Sequence, residues 1–296
     1  RARFMKWRRN SRTEAMKQQK KHSGLRIGLY GFLLLLLFLS GAALYCFFTE
    51  PDRLILVRET VRIPDLPEAF DGFRIAVMSD FHLTTKADDL SLFRRAVALA
   101  NAQLPDAVFL LGDFVEGNIP GYGGEIGTAG RELGRLKAPD GIFAVMGNHD
   151  RKLGIAKLTG SLERNGIIVL ENSSRTIRRG KYAIHIAGLA ESKPDNKLSS
   201  LPEVPPDEPV FLLSHYPDRP LSVKRPVALS FAGHTHGGQI VLPLVGALVV
   251  YSRYGLLRGC EERKGRRLFI TSGIGTSLIR IRCGVPPEVV LITLKK

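Results

Sequence analysis

The chain has 296 residues, and 44% of them are hydrophobic, which is enough for a buried core in one large domain or two small ones. Of its 43 basic and 28 acidic residues, ten basic residues and one acidic residue lie within residues 1–26, which leaves 33 basic and 27 acidic residues elsewhere. Because much of the net charge of +15 lies in this tail, the composition argues against a nuclease or another nucleic-acid-binding protein, and no nucleic-acid partner is expected.

Residues 27–48 form an uncharged apolar run that is long enough to cross a bilayer as one helix. A cleaved signal peptide is the alternative, with Ser40–Ala42 as the candidate cleavage site. The long basic segment before the run and the apolar residues beyond Ala42 favour a retained anchor. Ten basic residues precede the run and four follow it closely, namely Arg53, Arg58, Arg62 and Arg74. Since loops rich in Lys and Arg stay cytoplasmic, we expect a single-pass protein with its N-terminus inside and the following domain outside the membrane.

We therefore predict a basic cytoplasmic tail (1–26), a transmembrane anchor (27–48), a linker with a first strand (49–71) and one main domain (72–296). Apolar runs predict strands at Leu54–Ile63, Phe73–Ser79, Ala107–Leu111, Ile142–Met146, Ser174–Arg178, Tyr182–Ala187, Val210–Ser214, Ala228–Ala232, Leu268–Ser272 and Val289–Leu294. Helical periodicity predicts helices at Leu90–Ala102, Arg131–Leu136 and Leu153–Asn165. Strands that alternate with helices indicate a layered α/β domain.

Polar residues follow the ends of five predicted strands. They are Asp80, His82, Asp113, Asn148, His149, Asp150, His215, His234 and His236. In an α/β sheet the carboxyl ends of parallel strands meet at one edge, so we expect these side chains to converge. A lone histidine is usually an ordinary core or surface residue, as we expect for His22 and His185. Five histidines beside three aspartates, however, form a buried cluster that needs a cation to offset its charge.

Imidazole and carboxylate ligands together suit zinc, manganese, iron or cobalt better than calcium or magnesium. The number of candidate ligands exceeds what one metal ion needs. Two divalent transition metals that share a carboxylate and a hydroxide would use them all, and this arrangement is typical of enzymes that attack phosphorus in line.

The five blocks Asp80-x-His82, Gly112-Asp113, Gly147-Asn148-His149-Asp150, His215 and Gly233-His234-x-His236 resemble calcineurin-like metallophosphoesterases in content and order. The resemblance spans about residues 73–294. It implies that Asp80, His82 and His236 bind a first metal, that Asp113 bridges, and that Asn148, His215 and His234 bind a second metal. It also implies that His149 stabilises the developing charge and protonates the leaving oxygen, with Asp150 orienting the imidazole.

The expected fold is a four-layer α/β sandwich of two mixed β-sheets flanked by helices, preceded by one N-terminal transmembrane helix. Within the family, Gly237–Ile240, Gly273–Ser277 and Pro286–Glu288 resemble the membrane-anchored bacterial phosphodiesterases of the YaeI/YkuE type. One departure is Leu189-Ala190, where we expect an acidic residue after the Gly188 turn.

The resemblance implies hydrolysis of a phosphodiester or pyrophosphate bond, with the membrane bilayer as one partner and a lipid-linked or nucleotide-sugar substrate as the other. One alternative is a UDP-2,3-diacylglucosamine pyrophosphatase of lipid A synthesis, although that substrate is made in the cytoplasm and the charge pattern predicts an extracytoplasmic domain. A non-catalytic, metal-dependent binding scaffold is the alternative from another class. Degenerate ligands would favour a scaffold, but all the ligand positions are filled here.

Four further features of the sequence each have two interpretations. Arg280 is a candidate for binding a substrate phosphate, with a structural salt bridge as the equal alternative. The apolar segment Pro243–Tyr251 is predicted as a core strand in preference to a lipid contact. The glycine-rich segment Gly121–Gly130 is predicted as a surface loop in preference to a phosphate-binding loop. Cys260 and Cys283 lack a metal-binding spacing, and small buried side chains are favoured over a disulfide between them.

Overall fold

The computed structural model describes residues 16, 26, 28–117, 126–191, 204–205 and 207–296. Contacts divide the chain into two compact units, Arg1–Cys46 and Phe47–Lys296. Among the described residues, one helix, α1 (Gly28–Asp52), is long and apolar enough to cross a membrane by length and composition. Its mean hydropathy reaches 2.3, and only 6% of its most apolar window is buried, so it differs from the core helix of a globular domain.

The second unit contains fourteen described strands and four described α-helices. The strands are β1 (Ile55–Arg62), β2 (Arg74–Met78), β3 (Ala107–Leu110), β4 (Ile142–Ala144), β5 (Ile168–Val169), β6 (Ser173–Arg179), β7 (Tyr182–Gly188), β8 (Val210–Leu213), β9 (Leu229–Ala232), β10 (Val241–Leu242), β11 (Gly246–Ala247), β12 (Gly259–Arg263), β13 (Arg266–Ile270) and β14 (Glu288–Lys295). The helices are α2 (Ala87–Ala102), α3 (Ile126–Leu133), α4 (Asn148–Leu153) and α5 (Ile155–Arg164).

Twelve of these strands form two six-stranded mixed sheets. The first has the order β1-β14-β2-β3-β4-β5 and is parallel except between β14 and β2. The second has the order β12-β13-β9-β8-β7-β6 and is parallel except at its two edges, β12 with β13 and β7 with β6. Strands β10 and β11 form a separate antiparallel hairpin.

The main core lies between the two sheets. Strands β3 and β8 are buried along their whole length, as expected for apolar runs covered on both faces. Phe109 of β3 meets Phe231 of β9 edge to face, with ring centroids 5.1 Å apart. A second core packs the outer face of the first sheet against α2, α3 and α5 and includes Phe93, Leu133 and Leu158. This arrangement confirms the predicted α/β sandwich of two mixed sheets flanked by helices.

Three local predictions differ from the structure. Pro243–Tyr251 is not a core strand, because its chain turns in the β10–β11 hairpin and its large side chains are exposed. The helix predicted at Arg131–Leu136 begins earlier, at Ile126, inside the glycine-rich segment, and residues 121–125 lie outside the described residues. Cys260 does not pair with Cys283, as expected, but it is a free, exposed thiol on the edge strand β12 and not a small buried side chain.

Candidate metal centre

The carboxyl ends of five neighbouring strands supply the candidate site. Asp80 and His82 follow β2, and Asp113 follows β3. The remaining residues lie at the start of α4 after β4, directly after β8, and in the turn after β9, namely Asn148, His149, Asp150, His215, His234 and His236. The structure brings all nine predicted residues into one group of contacts, and most of them are buried.

A first cluster contains Asp80, His82 and His236. The Nε2 atoms of His82 and His236 lie 3.1 Å apart, and Nε2 of His236 lies 3.7 Å from Oδ1 of Asp80. One donor atom from each of the three buried residues lies within 4.8 Å of the others. The cluster therefore has the composition and the spacing of a metal site.

A second cluster contains Asp113, Asn148, His215 and His234, and Asp113 also contacts the first cluster. Nε2 of His215 lies 3.3 Å from Oδ2 of Asp113, 3.2 Å from Nδ1 of His234 and 3.1 Å from Oδ1 of Asn148. The same Oδ2 of Asp113 lies 3.6 Å from Nε2 of His82 in the first cluster. Asp113 consequently stands between the two clusters, where a bridging carboxylate belongs.

The donor atoms of the two clusters are better arranged to bind cations than to form hydrogen bonds with one another. Two ring nitrogens face each other in each cluster, and a neutral pair can hold such a contact only through a shared proton or a cation. Nδ1 of His236 is buried and has no hydrogen-bond partner among the described residues. Buried imidazoles and carboxylates with this mutual orientation form the mixed nitrogen and oxygen ligand set of transition metals.

Electrostatic strain within the clusters supports this fit. Burial, the largest single effect, would lower the pKa of His215, but the charge and hydrogen bond of Asp113, the charge of Asp80 and the hydrogen bond to Leu111 together raise the pKa to about 10. Burial and the neighbouring His215 lower the pKa of His234 to about 3. In this facing pair, His215 therefore favours its protonated form and His234 its neutral form. Burial raises the pKa of Asp80, since it disfavours the charged carboxylate.

The backbone around the clusters adopts a conformation that most residues avoid. Five of the seven predicted ligands have positive φ angles between 47° and 71°, namely Asp80, His82, Asp113, His234 and His236. Such left-handed positions persist only where the surrounding fold enforces them, and they are common at functional sites. Close approach is enforced at Gly147, where a Cβ atom would lie 2.1 Å from Oδ1 of Asp113. The ligands are thus positioned by a backbone that is held in unfavourable left-handed conformations.

Glu116 is a site residue that the sequence analysis missed. It is buried, and its two carboxylate oxygens lie 3.1 Å from Nδ1 of His82 and 2.8 Å from Nδ1 of His149. The carboxylate therefore orients one predicted ligand and the predicted catalytic histidine together. Its signal in the sequence is an acidic residue three positions after Asp113 in an otherwise apolar segment.

The structure corrects the expected role of Asp150. Its carboxylate accepts hydrogen bonds from the backbone N–H groups of Asp113 (2.7 Å), Phe114 (2.8 Å) and Gly147 (2.9 Å), whereas Glu116 orients the His149 ring. Burial and the nearby Asp113 charge raise the pKa of Asp150 to about 7. Asp150 therefore ties the turn after β3 to the start of α4 and acts on the backbone that carries the ligands.

Arg280 lies at the edge of the site but is already paired. Its Nη2 atom donates to both carboxylate oxygens of Asp52 at 2.8 Å, and its Nε atom lies 3.9 Å from Asp89. It also lines a small cavity of about 50 Å³ together with His82 and Glu116. The structural salt bridge is therefore present, and a contact between Arg280 and substrate remains a prediction.

The second cluster is bordered by an aromatic and acidic group. The ring centroid of Tyr216 lies 4.3 Å from that of His234, and its hydroxyl donates to Glu191 at 3.3 Å. Glu191 is buried and forms an ion pair with Arg151 at 3.1 Å. Leu189 and Ala190 are apolar, as the sequence shows, and the buried acidic residue beside the second cluster is Glu191.

Comparison with known proteins agrees with this geometry. Residues 73–238 match the calcineurin-like phosphoesterase family. The chain is 28% identical over 291 residues to the metallophosphoesterase YkuE of Bacillus subtilis, which covers 95% of this chain and 99% of that protein. It is 31% identical over 257 residues to the phosphodiesterase YaeI of Escherichia coli, with 84% and 92% covered.

A third relative is a transmembrane protein with a metallophosphoesterase domain from Danio rerio. It is 27% identical over 266 residues, and the match covers 83% of this chain and 58% of that protein. The family match takes in more than half of the chain, and it contains the five blocks that build the two clusters. The chain therefore belongs to the calcineurin-like phosphoesterases and is a metal-dependent phosphoesterase.

Proposed function

We propose that this chain is a membrane-anchored binuclear-metal phosphodiesterase that cleaves a phosphodiester or pyrophosphate bond in a lipid-linked or nucleotide-sugar substrate. The observation that carries the proposal is the pair of adjoining clusters that share Asp113, with His149 and Glu116 beside them. A lone metal would not need two facing imidazole pairs and a carboxylate between them.

The ligand assignment follows the two clusters. Asp80, His82 and His236 would hold one divalent transition metal, and Asn148, His215 and His234 would hold the other, with Asp113 between them. The bound metals would supply Lewis-acid polarisation of the phosphoryl oxygens and a nucleophile ionised near neutral pH. Because the donor set has both imidazoles and carboxylates, manganese, zinc, iron or cobalt fits it.

His149 would act on the leaving group. Glu116 contacts its Nδ1 atom at 2.8 Å, which favours a proton on Nδ1 and sets the orientation of the ring. His149 would then stabilise negative charge on the transferring group and give a proton to the departing oxygen. The His149 backbone N–H donates to Oδ1 of Asp113 at 2.8 Å, so the acid and the bridging ligand are held together.

Three observations support membrane attachment and the substrate class. Helix α1 is long and apolar enough to span a bilayer, and its apolar window is exposed. The Danio rerio relative is a transmembrane protein. The concentration of basic residues before the helix favours an N-terminus inside and a catalytic unit outside the membrane. An enzyme held at the bilayer surface meets lipid-linked substrates at high local concentration.

The catalytic proposal is tested with the full chain in detergent, bis-p-nitrophenyl phosphate and added Mn²⁺. We expect Asp113→Asn and His149→Ala each to lower kcat by about 10²–10⁴-fold, whereas Asp65→Asn, an exposed control, should retain wild-type turnover. Metal analysis should find about two ions per wild-type chain and fewer in Asp113→Asn. Two bound ions without turnover on diesters or monoesters would favour the scaffold alternative.

The orientation has its own test. A reporter enzyme that is active only outside the cytoplasm, fused after Lys296, should be active in cells, and a cytoplasm-dependent reporter at the same position should be inactive. The reverse pattern would contradict the extracytoplasmic assignment and would favour a nucleotide-linked substrate made in the cytoplasm.

A further inference from the structure

The β10–β11 hairpin and the segment after it expose a run of large apolar side chains. These six residues, here called the apolar rim, are Leu244, Val245, Leu248, Val249, Val250 and Tyr251. Leu244 at the tip is fully exposed and Val245 is 69% exposed. Scattered exposed apolar residues are ordinary, but six within eight consecutive positions form a contiguous patch of the kind found at interaction sites.

The rim is presented by an ordered backbone. Val241 pairs with Ala247 across the hairpin, and the Val241 N–H donates to the carbonyl of Cys283 at 2.8 Å. Leu244 has a φ of 66°, a left-handed conformation that an exposed leucine adopts only when the turn imposes it. The hairpin therefore projects its apolar tip away from the two sheets instead of folding it into the core.

The rim borders the metal centre. The ring of Tyr251 lies 5.8 Å from the ring of His234 in the second cluster. On the other side of the site, the exposed Leu278 and Ile279 line the small cavity that includes His82. A surface that covers the rim would thus lie beside the site and would bring its own phosphates close to the metal centre.

The charges around the rim are positive. From Arg219 to Cys260 the sequence contains no acidic residue. Arg253 and Arg258 are exposed next to the rim, and Lys264 lies over the ring of Tyr254 at 4.3 Å. The nearest acidic residue before this stretch, Asp218, accepts bonds from Ser252 and Arg253. Exposed apolar side chains beside cationic ones match a bilayer surface with anionic headgroups.

The segment that joins the two elements is short in sequence. Helix α1 ends at Asp52 and β1 begins at Ile55, so the connecting residues can extend only about 3.5 Å each. We propose that the apolar rim inserts into the surface of an anionic phospholipid membrane, which positions the metal centre at the level of the headgroups. This inference rests on the proposed membrane attachment, but not on the assignment of metal ligands.

The test uses tryptophan fluorescence of the full chain in phospholipid vesicles. The sequence contains a single tryptophan, so Trp7→Phe removes the background signal. Leu244→Trp then places a probe at the rim. Leu104→Trp is the matched control, because Leu104 is also an exposed leucine (78%) with a left-handed φ of 49°. Vesicles contain phosphatidylcholine and phosphatidylglycerol, with or without brominated acyl chains.

We expect the Leu244→Trp probe to show a blue-shifted emission and to lose intensity with brominated lipid, whereas the Leu104→Trp probe should show neither change. Replacing phosphatidylglycerol by phosphatidylcholine should reduce the quenching at position 244. Equal behaviour of the two probes, or quenching independent of phosphatidylglycerol, would overturn the proposal. A blue shift that increases with the number of protein chains per vesicle, without quenching by bromine, would instead indicate that the rim contacts a second copy of the chain.

Two readouts separate this proposal from the proposed function. Co-flotation of the protein with vesicles reports attachment, and turnover of bis-p-nitrophenyl phosphate in the same sample reports the metal centre. Co-flotation without quenching at position 244 overturns the rim proposal and leaves anchoring intact. Failure to co-float overturns both the anchoring and the rim, whereas loss of turnover with quenching retained contradicts only the catalytic proposal.

Discussion

The metal centre and the apolar rim are adjacent regions, and the sequence predicted the first correctly and the second wrongly. At the metal centre, polar residues after five strands predicted a convergent site, and the structure brings those residues together. At the rim, an apolar run predicted a core strand, and the structure exposes it. Both regions contain left-handed residues, such as His82 and Leu244, which only the surrounding chain can impose. The position of a residue relative to strand ends is therefore more informative here than its polarity alone.

The largest effect is expected from crowding the metal centre through its backbone. Gly147→Ala would place a methyl group 2.1 Å from Oδ1 of Asp113. We expect a loss of about 1–3 kcal/mol in the free energy of unfolding. We also expect at least about a 10²-fold loss in kcat, because Asp113 must move. Thermal unfolding and diester turnover measure the two effects.

The control for this substitution is Gly127→Ala in helix α3. There the new methyl group meets only a flexible arginine side chain at 3.2 Å, and alanine favours a helix. Stability and turnover should therefore remain at the wild-type level or improve slightly. Equal damage from both substitutions would show that the close packing of Gly147 on Asp113 is not what sets the geometry of the centre.

An intermediate effect is expected from substitution of Glu116, which lies outside the five sequence blocks that predicted the site. Glu116→Gln preserves the shape of the side chain but removes the charge that orients His82 and His149. We expect about a 10–100-fold loss of activity or metal affinity, typical for residues that support a metal ligand. Turnover and metal titration of the variant, beside wild type, measure it.

Asp150→Asn is the matched comparison for Glu116→Gln, since the Asp150 carboxylate accepts hydrogen bonds from the backbone and not from the His149 ring. Its main effect should be on thermal stability, whereas Glu116→Gln should act mainly on kcat at nearly unchanged stability. If Asp150→Asn lowers kcat more than Glu116→Gln at equal stability, the assignment of Glu116 as the orienting residue is wrong.

The smallest effect is expected at the rim. Leu244→Ala should change the free energy of unfolding by no more than about 0.5 kcal/mol, because the side chain is fully exposed. Leu110→Ala, the matched change in a buried strand, should cost about 2–5 kcal/mol. Denaturant unfolding of both variants compares them. A large loss at Leu244 would restore the core-strand interpretation of Pro243–Tyr251.

Much of the fold and of the site could be predicted because the signals are local. The buried apolar runs at β3 and β8 and the polar residues directly after them identify strands and the edge where they meet. The missing parts depend on contacts distant in sequence. Glu116 acquires its role only when β2 and the start of α4 bring His82 and His149 to it, and Asp150 is diverted to the backbone by the same packing. The exposure of the rim depends on the direction of the turn in the β10–β11 hairpin, and the pattern of apolar residues does not predict that direction.

The pairing of β1 with β14 has a consequence for biosynthesis. Ile55 pairs with Glu288, and β14 also pairs with β2, so the last of the described strands in chain order occupies an inner position of the first sheet. Until β14 emerges, β1 has no strand neighbour in that sheet and β2 has an open edge. The first sheet therefore cannot be completed until synthesis has passed Lys295, and β1 and β2 stay unjoined while the intervening strands are made.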